Sequence, residues 1–375
     1  MTHKIFHAAD LHLGLTFRDK SQTVRETLKA DRFKALENIV QDANENEASF
    51  LVLAGDTFDT VNVSQEIITR AVKNLAEFRG EAVLVLPGNH DWYEFAENTL
   101  WQKFKKAASK FPKIHVLNLD EVQSFDLKGS KFNFYPGCCL SQHSSEHAIG
   151  WIQNEEKDSS AINIGIAHGN VVGMALDTEG DYFSMNEQDF NVAGMDFFLL
   201  GHVHVPFPVV TPVLTKPTYF MPGTPAKFSM GKKGNGTYWV IELEEKTFKG
   251  AELRVSSEIE HLDWSSETVN SAFEVDQLLT KIQALPANKR LLRLHVSGRL
   301  TSLEIQSCRD RLIGLQGSFI EFNWSDSLQL NIDQHFINAA YTPNSLEYKL
   351  LNGLAEEDPN GLALNLAYEL LSNPQ

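Results

Sequence analysis

Ala82-Val83-Leu84-Val85-Leu86-Pro87-Gly88-Asn89-His90-Asp91 is the stretch whose reading decides the fold. A short unbroken apolar run closed by proline and glycine reads as a strand buried on both faces, which is the pattern of a parallel sheet. The run ends in a carbonyl ligand, Asn89, and an imidazole, His90, and a helix is expected to begin near Trp92. Alone, Gly-Asn-His-Asp also makes a serviceable turn and N-cap. Its meaning comes from four further segments of the same kind.

Upstream, Ser49-Phe50-Leu51-Val52-Leu53-Ala54 is a second buried run, closed by Gly55-Asp56-Thr57-Phe58-Asp59. Before it, Lys4 to Asp10 reads as the first strand, leaving through Asp10-Leu11-His12-Leu13-Gly14. Downstream, Ile162 to Ala167 is closed by His168-Gly169-Asn170, and Met195 to Leu200 by Gly201-His202-Val203-His204. Between the first strands, Val24 to Asn46 carries Leu28, Phe33, Leu36, Ile39 and Val40 at mostly helical spacing. Ser64 caps a helix running to about Phe78, with Glu66 in its first turn. A strand, loop, helix unit repeated in this way implies an α/β sheet whose parallel strands bring their carboxyl ends to one edge, where sites form.

Farther along, Val122 to Leu127 and Lys131 to Tyr135 are short strands around the turn Lys128-Gly129-Ser130. Val209 to Leu214, Thr218 to Met221 and Tyr238 to Leu243 carry β signals. The pattern weakens from Leu262 to Thr268, which places a domain boundary there: residues 1–262 form a large domain, 263–335 a small α/β cap and 336–375 a helical tail. In the cap, helices are expected at Ala272 to Leu285 and Ser302 to Leu315, and strands at Leu291 to Val296 and Phe319 to Trp324. In the tail, Ser345 to Ala355 and Leu362 to Leu371 read as short amphipathic helices.

With 375 residues the chain is long enough for a large core plus a second domain. It has no run of about 18 apolar residues, so no membrane span is expected. Its N-terminus runs straight into the first strand, unlike a signal peptide, and points to the cytoplasm. Cys138, Cys139 and Cys308 lack zinc-finger spacing, and an adjacent pair is poor geometry for a structural disulfide. A formal charge of −16 argues against unaided tight binding to nucleic acid. It leaves room for a nucleic-acid substrate, since metal ions can reverse the local sign and a basic partner can supply the remainder.

The five strand-end loops offer Asp10 and His12, then Asp56, then Asn89 and His90, then His168, then His202 and His204. Carboxylate with imidazole and no thiolate suits first-row divalent ions and argues against a structural zinc site. Seven ligands exceed the needs of one ion, whereas two ions sharing a carboxylate would use them all. His90, beside the ligand Asn89, is then free to act as an acid.

The ordered set Asp10-x-His12, Gly55-Asp56-x-x-Asp59, Gly88-Asn89-His90-Asp91, His168 and Gly201-His202-x-His204 resembles the calcineurin-like metallophosphoesterases over residues 4 to 204. More narrowly, Ala9-Asp10-Leu11-His12-Leu13-Gly14 and Gly55-Asp56-Thr57-Phe58-Asp59-Thr60 resemble the SbcD-type DNA repair exonucleases, as does Pro222-Gly223-Thr224-Pro225 before a Lys-Gly turn and strand. The resemblance implies a four-layered α/β/β/α metallophosphoesterase sandwich with a small C-terminal α/β cap domain and helical tail. It implies one metal on Asp10, His12, Asp56 and His204, and a second on Asp56, Asn89, His168 and His202, with His90 protonating the departing sugar oxygen or bonding the phosphate. Manganese is the first expectation for both divalent ions, with iron, magnesium or zinc as alternatives. Asp59 stands where eukaryotic and archaeal relatives usually carry histidine, which favours the bacterial branch.

The expected activity is hydrolysis of DNA phosphodiester bonds in repair or end processing, by an exonuclease with endonuclease activity as an option. The expected partner is an SMC-like coiled-coil ATPase (SbcC-type), and the resemblance implies a homodimer. Two alternatives stand beside this: a phosphoesterase for cyclic nucleotides, other small diesters or phosphoproteins, and a DNA-end scaffold whose nuclease works only with its partner. Among weaker features, Lys103, Lys105, Lys106 and Lys110 can follow a phosphate backbone or form a solvated helix face. Asp59, Trp92, Tyr93, Lys227, Lys232 and Lys233 are candidate substrate contacts. Leu346, Leu350, Leu351 and Leu354, with Leu362, Leu364, Leu366 and Leu370, offer apolar faces for a partner's coiled coil or for their own domain.

Overall fold

The computed structural model describes residues 1–174, 181–227, 235–286, 289–357 and 362–372. These fall into two compact units, Met1–Glu260 and His261–Gln375. In the first unit the chain runs β1 (Thr2–Ala8), α1 (Gln22–Glu45), β2 (Phe50–Ala54), α2 (Gln65–Ala76), β3 (Ala82–Leu86), α3 (Leu100–Ala108) and β4 (Ile114–Val116). It continues with β5 (Gln123–Leu127), β6 (Ser130–Gly137), β7 (Ile162–His168), α4 (Glu187–Ala193), β8 (Phe197–Gly201), β9 (Pro206–Phe207), β10 (Tyr219–Pro222), β11 (Thr237–Glu244) and β12 (Thr247–Val255).

Two six-stranded sheets result, in the orders β12-β11-β1-β2-β3-β4 and β5-β6-β7-β8-β10-β9. Strands β1 to β4 are mutually parallel, as are β6, β7 and β8, so the carboxyl ends of β1, β2 and β3 share one edge and those of β7 and β8 another. The unbroken apolar runs are explained by burial on both faces: all five residues of β2 and of β3 are buried. Phe50 joins the sheets, its ring edge-on to Phe132 and Phe134 at 5.0 Å each and to Phe125 at 5.4 Å. Helices α1, α2 and α3 cover one outer face with Leu36, Ile39, Ile68, Leu75, Trp101 and Phe104. Ile152 and Phe190 cover the other, with Phe190 4.9 Å from Phe198. The architecture is four-layered, α/β/β/α.

Two local expectations need correction. No helix begins at Trp92: residues 92–99 are irregular and α3 starts at Leu100, capped by Thr99. The reason is that Asp91 is used inward, and Tyr93 N–H donates to the Cys139 carbonyl at 2.9 Å, which ties this loop to the second sheet. Val209 to Leu214 is not a strand; Pro208 and Pro212 remove donors, and only Val213 forms a bridge, with Ala251. The stretch from Leu262 to Thr268, where the sequence pattern weakens, is a strand whose Leu262 and Trp264 pack inward while Ser265 and Ser266 are exposed, and the division between the two units falls at its start, after Glu260.

That strand, β13 (Glu260–Thr268), heads a three-stranded sheet ordered β13-β14-β15 in the second unit, with α5 (Ala272–Gln283), β14 (Arg290–Leu300), α6 (Ser302–Leu315) and β15 (Glu321–Leu330). Thr301 and Glu304 form a reciprocal capping box at the start of α6. Beyond it lie α7 (Gln334–Ala340), which had no counterpart in the sequence reading, α8 (Leu346–Glu357) and α9 (Leu362–Ser372). These helices share a small core of Ile332, Ile337, Leu351 and Leu364, while Leu346, Leu350, Leu366 and Leu370 are exposed. Among the described residues no helix is long and apolar enough to cross a membrane. All three cysteines are buried and unpaired.

Candidate metal centre

Each strand-end loop is bent by its backbone before its side chains matter. Asp10, His12, Asp56 and His202 adopt positive φ of 58°, 43°, 49° and 97°. For residues with a Cβ this costs roughly 1–2 kcal/mol each. Cross-loop bonds hold the conformation: Asp10 N–H donates to Gly55 O at 3.1 Å, His12 N–H to Asp56 O at 2.9 Å and Leu13 N–H to Thr57 O at 2.9 Å. Gly55, at φ 91°, has no substitute, because a Cβ there would lie 2.0 Å from His168 Nδ1. The strain is therefore held in place by the surrounding loops, a pattern expected at functional sites.

The side chains converge in a continuous chain of donor atoms. His204 Nε2 lies 3.2 Å from Asp10 Oδ1 and 3.4 Å from His12 Nε2. His12 Nε2 is 3.7 Å from Asp56 Oδ2, which is 3.2 Å from His168 Nε2. Asn89 Oδ1 closes the far end, 3.1 Å from both His168 Nε2 and His202 Nδ1. Three overlapping groups within 4.8 Å can hold a cation: Asp10, His12 and His204; His12, Asp56 and His90; and Asp10, Asp56 and His168. The seven expected ligands and His90 are thus brought together.

The surroundings orient them. His202 N–H is shared by both oxygens of Asp10 at 3.1 Å, and His90 N–H donates to Asp56 Oδ1 at 2.8 Å, which turns Oδ2 toward the imidazoles. His168 Nδ1–H donates to Ala54 O at 2.9 Å, and Asn89 Nδ2–H to Gln142 O at 3.4 Å. Such outer bonds set the tautomer and aim of metal-binding histidines.

The electrostatics supply a test of whether a cation fits. Burial alone would raise both carboxyls, but His204 beside Asp10 and His168 beside Asp56 outweigh it and hold both below the usual range. Burial likewise disfavours a charged His168, yet Asp56 overrides it and raises the imidazole to about 9. Burial and then His168 push His202 down to about 4. His12 is lowered by burial in spite of Asp59 and Asp56. With Nδ1 committed to Ala54, a neutral His168 would turn a bare lone pair on two further acceptors, Asp56 Oδ2 and Asn89 Oδ1. The cluster therefore calls for positive charge between these atoms, supplied by a proton on His168 or by a cation. Oxygen and imidazole donors without thiolate fit a divalent first-row ion.

The weaker candidates are less directly placed. Asp59 turns its carboxylate to His12 Nδ1 at 3.4 Å, and its carbonyl accepts from His90 Nδ1 at 3.1 Å. Tyr93 is buried, edge-on to Phe95 at 5.1 Å and under the Lys105 ammonium, so its ring is spoken for; Trp92 is half-buried. Lys227 is buried, and Lys232 and Lys233 lie outside the described residues. Two supporting residues had no role in the sequence reading. Asp91 accepts from Gly88 N–H at 2.6 Å and Phe58 N–H at 2.9 Å, and burial with the Asp56 charge pushes it up to about 8. Arg32, buried inside α1, donates to Leu11 O. The signal for Asp91 was its place in Gly88-Asn89-His90-Asp91; Arg32 had none beyond a charge on an apolar helix face.

Comparison with known proteins bears on the same region. The family model of the calcineurin-like phosphoesterases matches residues 3–206, more than half of the 375-residue chain. The metallophosphoesterase YhaO of Bacillus subtilis (strain 168) is 26% identical over 221 residues, 53% of this chain and 48% of that protein, so the chain matches about half the length of this curated relative. Among solved structures, TT1561 of Thermus thermophilus aligns with a TM-score of 0.41 and 11% identity, over 67% of this chain and 99% of that one. The purple acid phosphatase PPD1 of yellow lupin (Lupinus luteus) aligns with a TM-score of 0.38 and 12% identity, over 68% and 52%.

Proposed function

We infer, from the premise that the chain belongs to the calcineurin-like phosphoesterase family, that its substrate is DNA and its reaction phosphodiester hydrolysis at a two-metal centre. Membership makes it a metal-dependent phosphoester hydrolase. The observation that carries the two-metal reading is the unbroken run Asp10, His204, His12, Asp56, His168, Asn89, His202, with neighbouring donor atoms 3.1–3.7 Å apart. The DNA reading is supported by the likeness of Ala9 to Gly14 and Gly55 to Thr60 to the SbcD-type exonucleases.

Asp10, His12, Asp56 and His204 would hold one ion, and Asp56, Asn89, His168 and His202 the other. Two divalent ions, manganese first, would supply charge neutralisation and water activation for in-line displacement at phosphorus. The protein's own part is to fix the donors and move a proton. Asp59 O holds His90 Nδ1–H at 3.1 Å, which leaves Nε2 to protonate the departing sugar oxygen or to bond the phosphate. The Asp59 carboxylate aligns His12, so its role is positioning rather than substrate contact.

An SMC-like ATPase is the proposed partner, because a chain of charge −16 gains from borrowed DNA affinity. Exposed Leu346, Leu350, Leu366 and Leu370 on α8 and α9 are the surface offered to it. A homodimer is proposed on the resemblance alone. The test is a substrate panel with manganese: linear single- and double-stranded DNA, cyclic nucleotides and a chromogenic phosphodiester. DNA degradation abolished by Asp56→Ala is the expected result. Turnover of the small substrates alone would leave a phosphoesterase and remove the nuclease.

A further inference from the structure

We propose that the trough between α2 and α3 is a track for single-stranded DNA passing to or from the metal centre; this rests on the nuclease reading above. The trough has a volume of about 1070 Å³ and is walled by Gln65 and Lys73 from α2, by Gln102, Lys103 and Lys106 from α3, and by Phe95 from the connecting loop. Against its three lysines stands one acidic residue, Glu97.

Charge is the first argument. The chain has 49 acidic against 33 basic residues, so a cation on its surface has carboxylates to choose from. Nearby, Arg70 and Lys34 both reach Glu37, and Lys105 is bonded to Asn118 and Tyr93. Among the described residues, the ammoniums of Lys73, Lys103 and Lys106 take part in no ion pair. Lys103 and Lys106, three apart, share one face of α3, and Lys73 faces them from the last turn of α2. Three unpaired cations across one trough complement a row of phosphates.

Position is the second. Helix α2 follows the Asp56 loop and α3 follows the Asn89–His90 loop, so both walls start from metal-bearing segments and run back from the edge where parallel β2 and β3 end. A single strand leaving the centre along these two helices would enter the trough. Phe95 stands five residues past His90, 68% exposed and braced edge-on by Tyr93. A fixed, exposed ring accepts an unpaired base by stacking, which a duplex does not offer. A second copy is a poorer occupant: Phe95 is the one large apolar side chain exposed among the described residues of these walls, where a stable self-interface needs an apolar centre.

The test is fluorescence anisotropy of a labelled oligothymidine with calcium in place of manganese, over a salt series, for the wild type, Lys73→Ala/Lys103→Ala/Lys106→Ala and Phe95→Ala. Loss of three contacts should make the slope of log affinity against log salt shallower by about 2, at about 0.7 per phosphate for single strands. Phe95→Ala should weaken binding while keeping the slope. Hydrolysis of a chromogenic phosphodiester should be unchanged in all variants, which reports an intact centre. Equal slopes and affinities in a triple variant whose wild-type parent binds and cleaves DNA would overturn the track and spare the nuclease. A wild type that cleaves the small diester but binds no oligonucleotide would overturn both, and an altered sedimentation coefficient of the triple variant would make the trough a self-interface instead.

Discussion

Asp91→Ala is the substitution that best separates loop architecture from ligand chemistry. Asp91 belongs to neither proposed metal ligand set, yet its fully buried carboxyl bridges Gly88 N–H at 2.6 Å and Phe58 N–H at 2.9 Å, joining the Asn89–His90 loop to the Asp56–Asp59 loop. Alanine removes both acceptors and strands two buried donors, each at about 1–3 kcal/mol, so the total is about 2–6 kcal/mol. The upper half of that range exceeds what an ordinary substitution does. Asp91→Asn keeps the shape and one acceptor, but its amide NH₂ must face the other N–H, so about half the loss is expected. Urea unfolding monitored beside metal content after equilibrium dialysis against manganese gives both readouts. The expected order of stability and of bound metal is wild type, then Asp91→Asn, then Asp91→Ala. An Asp91→Ala protein that retains wild-type metal stoichiometry and unfolds within about 0.5 kcal/mol of wild type, the range of a featureless surface change, would refute the clasp.

Three other outcomes are expected. His90→Ala should lower kcat by about 10²–10⁴-fold, the usual worth of an acid, with both metals retained, whereas Asn89→Ala should lower metal content; metal analysis with single-turnover kinetics distinguishes them. Gly55→Ala forces a side chain to φ 91° and a Cβ to 2.0 Å from His168 Nδ1, for a combined cost of about 2–5 kcal/mol, and should displace His168 from Ala54 with loss of metal in the same dialysis assay. In the second unit, the paired Arg309 bonds at 2.8 and 3.0 Å hold the Asp326 carboxyl below its ordinary value although burial opposes them. A depressed folded value means stability present above the unfolded carboxylate range and lost as pH falls through and below it. Asp326→Asn should flatten that acid slope in thermal unfolding followed between about pH 5 and 2.

The strands that carry the centre were legible because burial on both faces leaves no polar residue in β2, β3 or the middle of β8, and an unbroken run has few other readings. Helix α1 was legible through Leu28, Leu36 and Ile39 at helical spacing. Where long-range bonds decide the backbone, the local pattern misleads. Residues 92–99 look like a helix start after Asp91, but the carboxyl that would cap it bonds inward, and Tyr93 donates to Cys139 across to the other sheet. Val209 and Val210 look like strand and are 79% and 72% exposed, between prolines that cannot complete a ladder. The place of β10 between β8 and β9 follows from parallel pairing with β8, a contact set by tertiary structure rather than by composition.

For the centre, residue type at a strand end announces a ligand but not the conformation that presents it. Asp10, His12, Asp56 and His202 all take positive φ, and nothing in Asp or His demands it; glycine, the residue that would have signalled it, is absent from those positions. What makes the conformation tenable is mutual support: the Asp10 loop donates three N–H bonds to carbonyls of the Asp56 loop, and Asp91 and His90 tie that loop to the next. No single loop contains enough partners to hold its own strain, so the ligand geometry belongs to the set. It follows that the most damaging changes outside the ligands should fall at the joints between loops, at Gly55, Asp91 and Asp59, where a residue's neighbours in sequence give no warning of its neighbours in space.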